Sequence, residues 1–465
     1  MSFISLLKII KIRERAFIGI VFLLVSCQKL VTVPPPTNEL ISAVVFTNDA
    51  TATATITGIY SEMMNEPTQF TNSYLTLYTG LSADELYYYT PDNKEEFFHN
   101  EITLRNHDLI AAAFWSPAYK YIYTANLCIE QLEQTTAVST ATKKVLLGEA
   151  KFIRAFCYFH LVNLFGGVPL VTNSNYTKSA SLQRSPEEAV YNQIIQDLTN
   201  AVGLLPAAYA GGEHIRPNKW AAMALLARVH LYHQDWVEAE QAASAVINSG
   251  MYQLEDDLNK IFLANSNEAI WELQPLSNGW NTWEAKEILP ATDAETPKYL
   301  LTSSLLKSFE PGDARRTSWV ASRKYGDDSL YYPAKYKVYG NGAPVSEYYI
   351  VLRLAEQYLI RAEARAQQGK IIEAQEDLNV IRYRSQLPAK SANNQSSLLK
   401  DIAHERQIEL LAEWGHRWYD LKRTGGANAI LGPLKGSTWQ ATDVLWPIPI
   451  NQLNANSSLT QNPGY

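Results

Sequence analysis

Apolar residues recur at three- and four-residue spacing around Cys128 and again around Cys157, which predicts two helices over residues 116–133 and 142–164. Ser116-Pro117 marks the start of the first, and Gly166-Gly167 ends the second. Ser185-Pro186-Glu187-Glu188 reads as a further helix start: serine caps free N–H groups, proline occupies the first turn and Glu188 reaches back. A helical pair over residues 220–233 and 237–248 follows. Its small positions return later in the chain. Ala227, Ala239, Ala243 and Val246 correspond to Ala362, Ala374, Leu378 and Ile381, each 135 residues on, and the turns at Gln234 and Gly369 share the offset. Alanine on both inner faces lets antiparallel helices approach closely, as in tetratricopeptide-type hairpins. Such hairpins cannot bury their faces alone, so several are expected to stack.

Two long segments, 66–106 and 251–339, lack this periodicity and are rich in Pro, Gly, Asn, Trp and Tyr. Irregular stretches of this length inside a helical protein are usually functional.

The N-terminus changes the picture of where the protein works. Lys8, Lys11, Arg13 and Arg15 precede an apolar run from Ala16 to Val25 that is too short to span a bilayer. The run ends in Leu24-Val25-Ser26-Cys27, which looks like a bacterial lipobox, with cleavage before Cys27 and acylation through its thiol. Residues 1–26 are therefore expected to be a signal peptide. Residues 27–45 form a lipidated, proline-rich tether around Pro34-Pro35-Pro36, and 46–465 a single domain carrying the two irregular insertions. With Cys27 taken by lipid, Cys128 and Cys157 are expected to be buried core thiols, not a disulfide or a metal set.

A formal charge of −7 and a pI near 5.7, with no concentrated basic face, argue against nucleic acid. The 27 Tyr and 11 Trp point instead to flat-ringed recognition of sugars or peptides. Enzyme signatures are lacking: there is no Gly-x-Ser-x-Gly elbow, no phosphate loop, and His404-Glu405 has no second histidine four residues on.

Five motifs in order carry a resemblance. They are Gly148-Glu149-Ala150-Lys151-Phe152-Ile153-Arg154-Ala155 running on to Phe165-Gly166-Gly167-Val168-Pro169-Leu170; Asn218-Lys219-Trp220-Ala221-Ala222 to Arg228; and Arg353-Leu354-Ala355-Glu356 to Glu363-Ala364. Glu405-Arg406 with Arg417-Trp418-Tyr419-Asp420 is the fourth, and Leu445-Trp446-Pro447 with Asn462-Pro463-Gly464-Tyr465 the last. Together they resemble the SusD/RagB family of outer-membrane lipoproteins from Bacteroidetes over nearly the whole chain. The resemblance implies a mainly α fold of about four tetratricopeptide-like hairpins with a loop-rich remainder. It also implies a cofactor-free binding protein that captures oligosaccharide, or in some members peptide, for a SusC-like TonB-dependent transporter. A surface glycosidase and a purely protein-binding adaptor remain as rivals.

The motif residues Arg154, Arg228, Arg361, Glu363, Arg406, Glu409 and Arg417 lie on helices beside small and apolar residues, where arginine ties helices together. Ligand contact is better sought in the irregular segments. Trp280 and Trp283 stand in a polar, glycine-containing stretch with Asn278 and Asn281, whose amides can meet hydroxyls or peptide groups. Asp84 with Tyr87, Tyr88 and Tyr89 makes a second set, and Tyr331 with Tyr332 a third. The same rings could equally anchor their loops by packing.

Overall fold

The computed structural model describes residues 45–276, 280–340, 342–392 and 394–465, so Cys27, the tether before Val45 and Asn278 lie outside the described residues. The longer helices are α1 (Asp49–Asn65), α2 (Leu75–Ser82), α3 (Ser116–Gln134), α4 (Thr140–Phe165), α5 (Glu187–Leu204), α6 (Lys219–His233) and α7 (Trp236–Ile247). They continue with the short α8 (Trp283–Ile288), then α9 (Leu354–Gln367), α10 (Ile371–Arg384), α11 (Gln395–Glu409), α12 (His416–Arg423) and α13 (Ala427–Lys435). The strands are β1 (Leu86–Tyr88), β2 (Ala269–Leu273), β3 (Tyr299–Leu301), β4 (Val320–Tyr325), β5 (Asp328–Pro333) and β6 (Tyr349–Arg353). They pair antiparallel as β1 with β3, β2 with β6 and β4 with β5. The fold is thus mainly α.

Several helix ends have a local cause. Pro117 sits in the first turn of α3. Ser139 caps α4 by accepting from the Thr142 amide, and its own hydroxyl donates to Asp49 at 2.6 Å, tying α4 to the start of α1. Gly166 ends α4 with φ +72°, a conformation that costs other residues about 1 kcal/mol or more. The cap expected at Ser185 is not made. The helix begins at Glu187, and the Ser185 backbone instead bridges Val168, donating to its carbonyl at 2.9 Å. Glu188 turns away from the helix start to His233 and Asn192.

The 135-residue offset extends to the backbone. Asp235 N–H donates to His230 C=O and Lys370 N–H to Arg365 C=O, both at 2.9 Å, closing α6 and α9 alike. The turn residues Gln234 and Gly369 both adopt positive φ, +67° and +77°. The eight repeat positions from Ala227 to Ile381 are all fully buried, so α6 with α7 and α9 with α10 form two equivalent hairpins.

Arginine–carboxylate pairs join the elements, and all seven motif residues take part. Arg154 forks onto Asp197 at 2.8 and 2.7 Å while donating to Asn126, which links α3, α4 and α5. Arg228 does the same to Glu356, Arg361 to Asp377 and Arg406 to Asp420, and Glu363 receives Arg423. Glu409 lies at the centre of a buried network with Arg315, Arg353 and Arg384, which Glu268, Glu405 and Glu413 complete. Breaking such a pair by deleting one partner typically costs about 3–5 kcal/mol, because the other charge is stranded. Cys128 and Cys157 are free, fully buried thiols.

The two segments expected to be irregular carry short elements. The first holds α2 and β1, and every residue of α2 is buried. A helix buried on all sides has no solvent face, and so no amphipathic period to read. The second holds β2, α8, β3 and the β4–β5 hairpin.

Candidate functional site

After β2, Gln274 and Leu276 are exposed, whereas Asn281 and Thr282, which lead into α8, are buried. Thr282 caps α8 by accepting from the Ala285 amide at 3.1 Å. On the inner side of α8, Glu284, Ala285 and Ile288 are buried. Burial pushes the Glu284 carboxyl up to about 8, although the hydroxyls of Tyr349 and Thr76 favour its ionised form. The outer side of α8 carries Trp283, Lys286 and Glu287, all half-buried.

Trp280 and Trp283 come together. Their rings stack at 5.7 Å between centroids with 27° between planes, and Tyr339 meets Trp280 edge-on at 5.7 Å. All three rings keep part of their surface in solvent. The Lys286 ammonium lies 4.4 Å from the Trp280 centroid and 4.0 Å from that of Trp283. The result is a cluster of two stacked indoles, a phenol and one cation at the surface.

Two buried polar side chains hold this cluster in place. Asn281 is 1% exposed. Its Oδ1 accepts from the amides of Ser346 (2.7 Å) and Glu347 (2.8 Å), and its Nδ2 donates to the Pro344 carbonyl. Glu347 in turn accepts from the amides of Lys337 (2.7 Å) and Val338 (3.1 Å), fixing the stretch that ends in Tyr339. Asn281 is therefore corrected from ligand contact to internal staple, since its amide is spent on backbone and shut off from solvent.

Asp84 is corrected in the same way. It is 2% exposed, and both its oxygens are held by Arg417 at 2.7 Å. Tyr332 is buried as well. The three consecutive tyrosines alternate about β1. Tyr88 packs edge-on to Tyr299 at 5.0 Å under the Lys94 ammonium, whereas Tyr87 and Tyr89 pack on Phe98 and Tyr325. Burial, and after it the field of Glu287, raises the Tyr74 phenol, and the same carboxylate acts on Tyr299. The outer side of α8 thus leads from the indoles toward the Tyr74–Tyr88–Tyr299 group. Tyr331 is half-buried and pairs with the Arg316 guanidinium at 4.7 Å.

Sequence reasoning missed Tyr339 and Lys286. Lys286 had a readable signal, three residues after Trp283 on a helix. Tyr339 had none, because its place depends on the Asn281 and Glu347 staples. A cleft of about 700 Å³ was missed as well. It is lined by Asp256, Asn259, Glu310, Asp313, Arg316 and Gln386, drawn from stretches far apart in the sequence. Its lining mixes these charged and amide groups with apolar residues such as Leu258, Leu306 and Phe309. Among the described residues no cluster of three or more His, Cys, Asp or Glu is arranged to hold a metal, and no helix is long and apolar enough to cross a membrane.

Comparison with known proteins places these features in a family. Residues 39–231 match a family described as starch-binding and associating with the outer membrane, and residues 278–465 match the SusD family. SusD-like protein P2 of Formosa agariphila is 30% identical over 97% of this chain and 99% of its own length. The starch-binding protein SusD of Bacteroides thetaiotaomicron is 25% identical over 73% of this chain and 76% of its own. Among solved structures, a laminarin-binding SusD-like protein superposes with a TM-score of 0.75 at 25% identity, covering 90% of this chain and all of its own.

Proposed function

The chain belongs to the SusD family, and from that premise we propose that it is a cell-surface lipoprotein that captures oligosaccharide on the Trp280–Trp283–Tyr339 platform. Cys27 anchors it in the outer membrane, and it delivers its ligand to a SusC-like TonB-dependent transporter. It holds the glycan without making or breaking a bond, and no cofactor enters.

The observation that carries this reading is the stacked indole pair, partly open to solvent and mounted on a stitched backbone. Indole faces match the apolar C–H faces of sugar rings. Rings with few rotatable bonds lose little entropy when a ligand docks. Each ring contributes on the order of 1 kcal/mol. Three rings with accompanying hydrogen bonds correspond to a Kd of micromolar to millimolar order, weak enough to pass the ligand on. The relatives named for starch and laminarin support a glycan over a peptide.

The test uses the soluble form beginning after Cys27, run on native affinity gels containing single polysaccharides. The double variant Trp280→Ala/Trp283→Ala should lose retention while its helical circular dichroism stays unchanged. Unaltered retention removes the assignment. Release of reducing sugar from a retained glycan would instead establish a glycosidase. Co-purification of a transporter after mild detergent extraction tests delivery, and loss of membrane association in Cys27→Ala tests the anchor.

A further inference from the structure

Lys286 lies three residues after Trp283, so both side chains rise from the same side of α8. Its ammonium stands close to both indoles, 4.4 and 4.0 Å from their centroids. Among the described residues it has no carboxylate partner and no acceptor for its three N–H donors. Lys219, 5.1 Å from the Trp220 centroid, also lacks an ion pair among these residues but stands beside a single ring, whereas four others beside rings or in the interior are spent. Lys94, over Tyr88, is paired to Asp92 at 2.6 Å; Lys335 pairs with Glu413; Lys422 and Lys435 donate to backbone carbonyls. Glu287, the adjacent carboxylate, acts on Tyr74 and Tyr299 and forms no ion pair with Lys286.

We propose that the platform selects acidic glycans, with a carboxylate- or sulfate-bearing sugar stacking on the indoles while its anionic group meets Lys286. The inference rests on the platform reading above and adds the chemical class of its ligand. An uncharged sugar approaching the same ring faces has to displace the ammonium and returns no counter-ion to it. An acidic sugar supplies one, and the ammonium keeps a partner while the ring face is taken. The surrounding charge sharpens the point. A chain of net charge −7 repels an acidic polymer at large, so capture of one depends on local cations such as Lys286 at the indole pair.

Isothermal titration of the soluble form tests this with three probes: a neutral β-glucan oligosaccharide, an alginate oligosaccharide and a sulfated galactan oligosaccharide. At least one acidic probe should bind about tenfold more tightly than the neutral one. Lys286→Gln should weaken that probe about tenfold or more, the loss expected for a hydrogen bond to a charged group, while Lys286→Arg retains it. Raising NaCl from about 50 to 500 mM should weaken it similarly, since an exposed pair is screened. Equal binding of the neutral probe, or unchanged acidic binding in Lys286→Gln, overturns the class while loss in the tryptophan double variant keeps the platform. Undiminished binding in that double variant, or no binding of any probe by the wild type, overturns both. Tighter binding of a Glu-rich peptide than of either acidic glycan also overturns the proposal.

Discussion

Glu409 offers a direct test of how the scaffold is held together. It is fully buried at the end of α11 and receives Arg353 at 2.5 Å, Arg315 at 3.0 Å and Arg384. Burial pushes its carboxyl upward, but Arg384, Arg353 and Arg315 together prevail and hold it well below the usual range. Glu409→Gln keeps the volume and one carbonyl acceptor while removing the charge, leaving three guanidiniums to share Asp313, Glu268, Glu405 and Glu413. Because those carboxylates remain, the cost should fall near the low end of the range for a broken buried pair, about 3 kcal/mol. Unfolding entropy of about 2.1 cal/mol/K per residue over some 420 residues gives about 0.9 kcal/mol/K, so Tm should drop by about 3–4 °C. The sign of the pH dependence follows from the depressed pKa. The stability from Glu409 is present above its unfolded value of 4.5 and is lost as pH falls through the folded value. In scanning calorimetry the gap between variant and wild type should be widest at neutral pH. Below pH 4.5 it should close by about 1.4 kcal/mol per pH unit. A variant melting within about 1 °C of wild type at pH 7, against the roughly 3 °C expected, would refute the reasoning, as would an equal gap at pH 7 and pH 3.5.

Glu284, pushed by burial to about 8, makes the opposite prediction. Its contribution is present below its unfolded value and lost as pH rises through 8, so Glu284→Gln should melt above wild type at pH 9 and near it at pH 5; parallel pH profiles would argue against a buried neutral carboxyl. Burial raises the Cys128 thiol to about 12 and Cys157 higher still, so a thiol-reactive dye should label neither in the native soluble form and both in denaturant. Labelling at native rates would mean that the helix pair α3–α4 opens readily. The tryptophan double variant should lower Tm by only a few degrees and keep a single transition, because the two rings are largely covered and stack on each other. A large drop in calorimetric Tm would show instead that the indoles serve packing.

The helices were legible because their signals are local. Periodic apolar residues around Cys128 and Cys157, glycine at 166 and 369 and small residues at matched offsets act within a few turns of themselves. The structure moves the ends of α3 and α4 by no more than two residues from the expected ranges. Where several local solutions compete, the reading failed. Ser185 had the chemistry of a cap, but its backbone was claimed by Val168. In the candidate site, Trp280 and Trp283 were visible as two indoles in polar surroundings, whereas Asp84 and Asn281 looked as available as any surface polar residue.

What the sequence determined alone, then, is the set of elements whose causes lie within about a dozen residues: helices, turns, the paired hairpins, and the spacing that puts Lys286 beside Trp283. What only the tertiary structure decided is which polar groups face inward and which rings meet. The Asp84 carboxylate is buried because Arg417 arrives from 333 positions away, and Tyr339 reaches Trp280 because Asn281 grips a backbone more than sixty residues on. Burying a charge or an amide is affordable only when its partner is already there, and that partner's position is a property of the folded chain.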